Sequence, residues 1–244
     1  MALAAAPLAF GCGLLPIVIV HLCYALSIRG GFTASCIPYI DGCVSISATG
    51  RQGWGYFLFK AGMLPAAVLI AAFWLLATRY LRVLGDSGPA LRALVFLGIA
   101  SAVFLALYTT FLGHKGDVYH LLRRFGVSLA LGLGYLAQLL FAWRLAIAHR
   151  RGSGAVPIRL LRGLQTLLAV LLLLGLGSIP VSNFVADKDP IENAIEWTFC
   201  LLLWSLYLLT GYAWRRTGYR LTPELESSRV PGRSFAAFGN AGKD

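Results

Sequence analysis

The side chains able to do chemistry fall at a few telling spacings. His120 and Arg124 are four residues apart, as are Glu192 and Glu196, so each pair shares one face of a helix. Arg123 stands next to Arg124. A carboxylate sunk below lipid headgroups wants a cation, and guanidinium is the best-matched fork for it. The spacing therefore predicts an ion pair from Glu196 to Arg123 or Arg124 across a helical bundle. Two arginines can also hold a lipid phosphate, while His120, Glu196 and Asp41 offer groups able to move a proton. The catalytic candidates are thus His120, Glu196 and Asp41. The candidates for lining a lipid site are Arg123, Arg124, His120, Glu196, Glu192, Asn183 and His21. The competing reading of the same residues is an ion pair that fixes helix register and has no ligand.

Other chemistry has less to stand on. His21, His114 and His120 with Asp41 resemble a zinc set in type, but no HxxxH or HExxH spacing occurs, so no metal and no cofactor are expected. No GxSxG frame surrounds a serine, and Ser45 and Ser47 lie in a polar loop expected to be flexible.

These residues are positioned by apolar runs. The chain of 244 residues is 58% hydrophobic and 13% charged. A water-facing surface needs about twice that share of charge. Windows of about 20 apolar residues, the length that crosses a bilayer as a helix, recur throughout. They predict an all-α, polytopic membrane bundle with spans at 7–28, 56–77, 91–112, 118–146, 160–184 and 191–214, followed by a polar tail, 217–244, expected to be disordered.

The net charge of +11 suggests nucleic acid at first. The basic residues instead sit between and at the ends of the apolar runs, as topology signals and contacts to anionic lipid. Nucleic acid is excluded as a partner; membrane lipids are expected, and the oligomeric state is left open. The richer arginine set, Arg79, Arg82, Arg92, Arg144, Arg150, Arg151, Arg159, Arg162, Arg215, Arg216 and Arg220, assigns both termini to the cytoplasm. Arginine far outnumbers lysine, which fits a GC-rich genome and a bacterial inner membrane. The polar candidates then gather at the outer ends of the spans, where intramembrane charge is by default a functional signal.

With the first loop outside, a Cys36–Cys43 disulfide is expected from the compartment, against two free thiols. Cys12, Cys23 and Cys200 read as buried structural thiols. Gly126, Ala130 and Gly134 form a small-residue stripe for helix packing. Trp74, Trp143, Trp197, Trp204 and Trp214 read as lipid-facing and interfacial.

Three segments resemble the Frag/DRAM/Sfk family, which includes the damage-regulated autophagy modulators and the GPI-anchor lipid-remodelling factors. They are Ile37-Pro38-Tyr39-Ile40-Asp41-Gly42 in the first outer loop, Val118-Tyr119-His120 followed by Phe125-Gly126, and Glu196-Trp197 near the start of the last span. The family stretch carries a serine between isoleucine and aspartate that is missing before Asp41. The resemblance implies six spans with a polar first loop and a connection to lipid, and it carries over Asp41, His120 and Glu196 as matched positions without assigned roles.

The reading is a membrane protein with an outer-leaflet polar pocket that binds or handles a lipid, with lipid remodelling as one form of it. The alternatives are a non-catalytic membrane organiser and, less well supported, a small-solute transporter, which would need a polar path reaching Gln138 and Gln165.

Overall fold

The structure is a computed structural model. It describes residues 3–153 and 156–221, with the side chains of His120, Ser182 and Leu221 outside that description. The expected tail lies outside the described residues from position 222 onward.

Six long helices form where the apolar runs demand them: α1 (Ala6–Arg29), α3 (Gly53–Val83), α4 (Pro89–Phe111), α5 (Asp117–Arg150), α6 (Ile158–Phe184) and α7 (Asp189–Arg216). All six are long and apolar enough to cross a membrane. A single short helix, α2 (Ile46–Thr49), lies between α1 and α3. Several helices outrun their apolar windows. α3 continues past Ala77 through Arg79 and Arg82, and α5 continues past Ala146 to Arg150, because arginine is a good helix former whose long stem lets its charge reach water.

The helices pack as a ring in chain order: α1 on α3, α3 on α4, α4 on α5, α5 on α6, α6 on α7, and α7 back on α1. The α5–α6 contact is among the slighter ones. Leu3–Ala4 (β1) pairs antiparallel with Arg220–Leu221 (β2), so the start of α1 and the end of α7 lie together at one end of the bundle. That end also holds Asp86 and is here termed the terminal end. The opposite end carries the loop from Gly30 to Gln52 and is termed the loop end.

The small-residue stripe does seat one helix on another. A Cβ on Gly126 would come within 3.1 Å of Tyr108, and one on Gly134 within 2.9 Å of the Ser101 hydroxyl, so α5 lies close against α4. Ser101 donates to the Ala130 carbonyl at 2.7 Å across the same seam. Cys12, Cys23 and Cys200 are buried free thiols.

The tryptophans correct the sequence reading. Trp74, Trp197, Trp204 and Trp214 are buried, and of the five assigned to lipid only Trp143 is exposed. Their rings build the core instead: Phe73 stacks on Trp214 and meets Trp74 and Tyr207 edge-on. A large aromatic surface is as apolar as lipid, and edge-to-face packing adds a specific gain that lipid does not offer.

Candidate functional site

The loop end is held by a dense set of bonds rather than being a flexible segment. Cys36 and Cys43 are joined by a disulfide. The Tyr24 hydroxyl donates to the Cys36 carbonyl at 2.7 Å and accepts from the Cys36 N–H at 2.9 Å. Asn193 donates to the Gly42 carbonyl at 2.9 Å, and the Trp197 indole donates to the Val44 carbonyl at 2.8 Å. These last two bonds lash the loop to the first turns of α7. Gly42 has φ +57°, and a Cβ there would lie 1.7 Å from the Pro190 carbonyl oxygen. Only glycine fits so close an approach in this conformation. Beyond Val44, Ser45 caps α2 by accepting from the Ala48 N–H, a common role for serine at a helix start.

Placed this way, α2 and the residues after it roof a cavity of about 350 Å³. Its lining is Ser47 and Arg51 from the loop, Tyr108 from α4, Arg123, Arg124, Val127, Ser128 and Leu131 from α5, and Glu196 from α7. Arg124 and Glu196 each lie seven residues into their helices, about 10 Å below the helix starts, and Leu131 lies about 20 Å below. The cavity is therefore charged near its mouth and apolar at its floor. No described residue of α6 lines it. The bond from Tyr135 to the Leu168 carbonyl joins α5 to α6 one turn below Leu131.

The charged groups do not pair as expected. Glu196 makes no ion pair with Arg123 or Arg124. It presents its carboxylate to the main-chain N–H groups of Ile46 and Ser47, with the Arg51 charge nearby. The loop supplies donors that the sequence reading, which treated it as flexible, did not credit. Arg123 turns to the end of α4 and donates to the carbonyl of His114 and, at 3.5 Å, to that of Phe111, which also accepts from the His114 N–H. Arg51 donates to the Ser47 hydroxyl at 2.6 Å. The Arg124 guanidinium makes no hydrogen bond or ion pair with any described residue, although the Arg124 carbonyl accepts from the Ser128 hydroxyl at 2.9 Å. The Tyr108 hydroxyl is buried and makes no well-formed hydrogen bond among the described residues, with Ser47 as the nearby polar side chain.

The expected site residues divide. Arg123, Arg124 and Glu196 share the cavity. His120 begins α5 one turn before them, and its side chain lies outside the described residues. His21 does not reach the cavity lining. Its ring bonds the Ile17 carbonyl and the Tyr39 hydroxyl at 2.7 and 2.8 Å and packs against Trp197. Asp41 accepts from the Ile37 N–H at 2.7 Å and closes a loop turn. Glu192 lies 3.7 Å from Lys188, and Asn183 donates to the Ile179 carbonyl; neither lines the cavity. Among the described residues, no three His, Cys, Asp or Glu side chains gather as a metal site.

Ser47 and Arg51 were not expected at the site. A signal for Arg51 was present, since it is the sole cation between Arg29 and Lys60. Nothing in sequence placed Ser47, because its position depends on the loop folding back over α7. Comparison with known proteins finds no matching family model, no matching curated protein and no matching solved structure.

Proposed function

We propose that this protein binds and handles a membrane lipid in the cavity at the loop end, facing the outer leaflet of a bacterial inner membrane. The observation that carries the reading is the lining itself: three arginines, one carboxylate and an unpartnered tyrosine hydroxyl stand over an apolar floor of Val127 and Leu131. A soluble ion has no use for the floor, and an apolar molecule has no use for the arginines. A lipid uses both. The arginine-rich terminal end supports placing the loop end outside, and a disulfide in the loop agrees with an oxidising compartment. The resemblance to the Frag/DRAM/Sfk family implies a lipid connection of the same kind. If the lipid is altered as well as bound, Glu196 is the lining group able to exchange a proton.

A non-catalytic organiser is the second reading, and two contacts favour it. Arg123 caps the end of α4, and Glu196 faces the N–H groups of α2, so both charges already have structural work.

Lipid extracts from cells making no protein, the wild type or Glu196→Gln, compared by mass spectrometry at equal expression, separate the two. A lipid species that shifts with the wild type and not with the variant supports lipid handling. Identical profiles in all three leave the organiser.

A further inference from the structure

We propose that the cavity takes the terminal phosphate of a lipid phosphomonoester, with Arg124 and Tyr108 as the donors that meet it; this rests on the lipid reading above. Arg123 and Arg51 are committed to the protein, the first to the carbonyls of Phe111, at the end of α4, and His114 beyond it, and the second to Ser47. Arg124 and the Tyr108 hydroxyl have no such commitment among the described residues, yet both face this one space. An unpaired guanidinium about 10 Å down a membrane helix is costly unless something brings it a negative charge. A buried hydroxyl without a partner carries its own penalty. One acceptor-rich anion removes both costs.

The charge balance selects the kind of anion. Among the described lining residues, three guanidinium groups oppose one carboxylate, a surplus of two positive charges. A phosphodiester carries one negative charge and leaves a surplus. A phosphomonoester carries roughly −1.5 to −2 near neutral pH and cancels it, and its three terminal oxygens accept both an arginine fork and a hydroxyl. The volume agrees: about 350 Å³ is at the small end of ligand sites, which suits a phosphate and the first carbons of its carrier rather than a sugar headgroup. The carrier has an apolar way out. Leu172, Leu173, Leu176 and Ile179 of the neighbouring α6 are exposed, and the helical rise puts them level with Arg124–Leu131.

The test uses the full-length protein in phosphatidylcholine nanodiscs doped with dioleoyl phosphatidate, dioleoyl phosphatidylmethanol or dioleoylglycerol. Native mass spectrometry counts the lipid retained. Phosphatidate is expected to be retained about tenfold over the other two, and Arg124→Ala and Tyr108→Phe should each lower that preference by about tenfold, the scale of a hydrogen bond to a charged group. Arg124→Lys keeps the charge without the fork and should fall between, which covers a poorly folded alanine variant. Equal retention of phosphatidylmethanol overturns the monoester assignment and leaves the lipid reading standing. Displacement of phosphatidate by equimolar glycerol 3-phosphate makes this a site for a soluble phosphate and overturns the lipid reading. Retention unchanged in every variant puts the lipid elsewhere and overturns the inference. No doped lipid retained above background overturns both.

Discussion

The Trp197 indole donates to the Val44 carbonyl at 2.8 Å, joining residues 153 positions apart and setting the height of the loop over α7. Val44 and Trp197 are both buried, so neither group can turn to water instead. Trp197→Phe keeps most of the apolar ring but strands the carbonyl. It should lower stability by about 1–3 kcal/mol, and the loop, not the helices, should show the faster backbone hydrogen exchange. A thermal unfolding series with exchange mass spectrometry reads both.

Gly42 faces a harder constraint. Gly42→Ala places a methyl carbon 1.7 Å from the Pro190 oxygen and adds the left-handed cost of about 1–2 kcal/mol for an L-residue. The loop must lift from α7, which opens the roof over Ser47 and Arg51. The expected outcome is a folded bundle with a lower unfolding temperature and a loop cleaved faster by protease. Wild-type cleavage in this variant would show that the loop is not seated by Gly42.

At the terminal end, Arg144 holds both Asp86 carboxylate oxygens through two of its guanidinium nitrogens, the Nε bond being 2.7 Å long. That hydrogen bonding keeps the Asp86 carboxyl below the usual carboxylate range against the opposing effect of burial, helped by the Ser87 N–H and the Arg151 charge. A depressed folded pKa means the pair's stability is fully present above the unfolded value of about 4 and is lost as pH falls through the folded value. Asp86→Asn should cost about 2–3 kcal/mol at pH 7, less than for a fully dry pair because Arg144 stays partly exposed. Wild type and variant should converge as pH drops from 5 towards 2, measured by thermal unfolding in one detergent.

The Cys36–Cys43 bridge closes a short loop. Replacing both cysteines with serine should cost about 2–3 kcal/mol by the loop-entropy estimate and remove any effect of reductant on unfolding. Because Tyr24 bonds the Cys36 backbone and not its sulfur alone, the loop should keep its place on α1. An unfolding temperature insensitive to reductant in the wild type would show that the bridge adds nothing.

The sequence by itself determined the membrane bundle. Six apolar runs must become six helices, because a backbone in lipid can satisfy its N–H and C=O groups only within the segment. Helix spacing likewise placed Arg123, Arg124 and Glu196 at the same depth near one end, and the Gly126–Gly134 stripe marked the face that meets α4. What each charge touches was decided by tertiary structure. Hydropathy gives depth along a helix but not its rotation about its axis, nor the path of a polar loop. The Glu196–arginine pair was therefore read from depth alone, whereas folded main-chain donors from α2 meet that carboxylate. The tryptophans failed as predictors for the same reason: an indole suits lipid and core equally, and only the neighbours Phe73 and Tyr207 draw Trp74 inward. His21 and Asp41 looked like chemistry because of their type, but α1 and the loop engage them with the Ile17 carbonyl, the Tyr39 hydroxyl and the Ile37 N–H. A polar side chain takes the partner that the folded backbone brings near it, and that partner is in place only once the chain has folded.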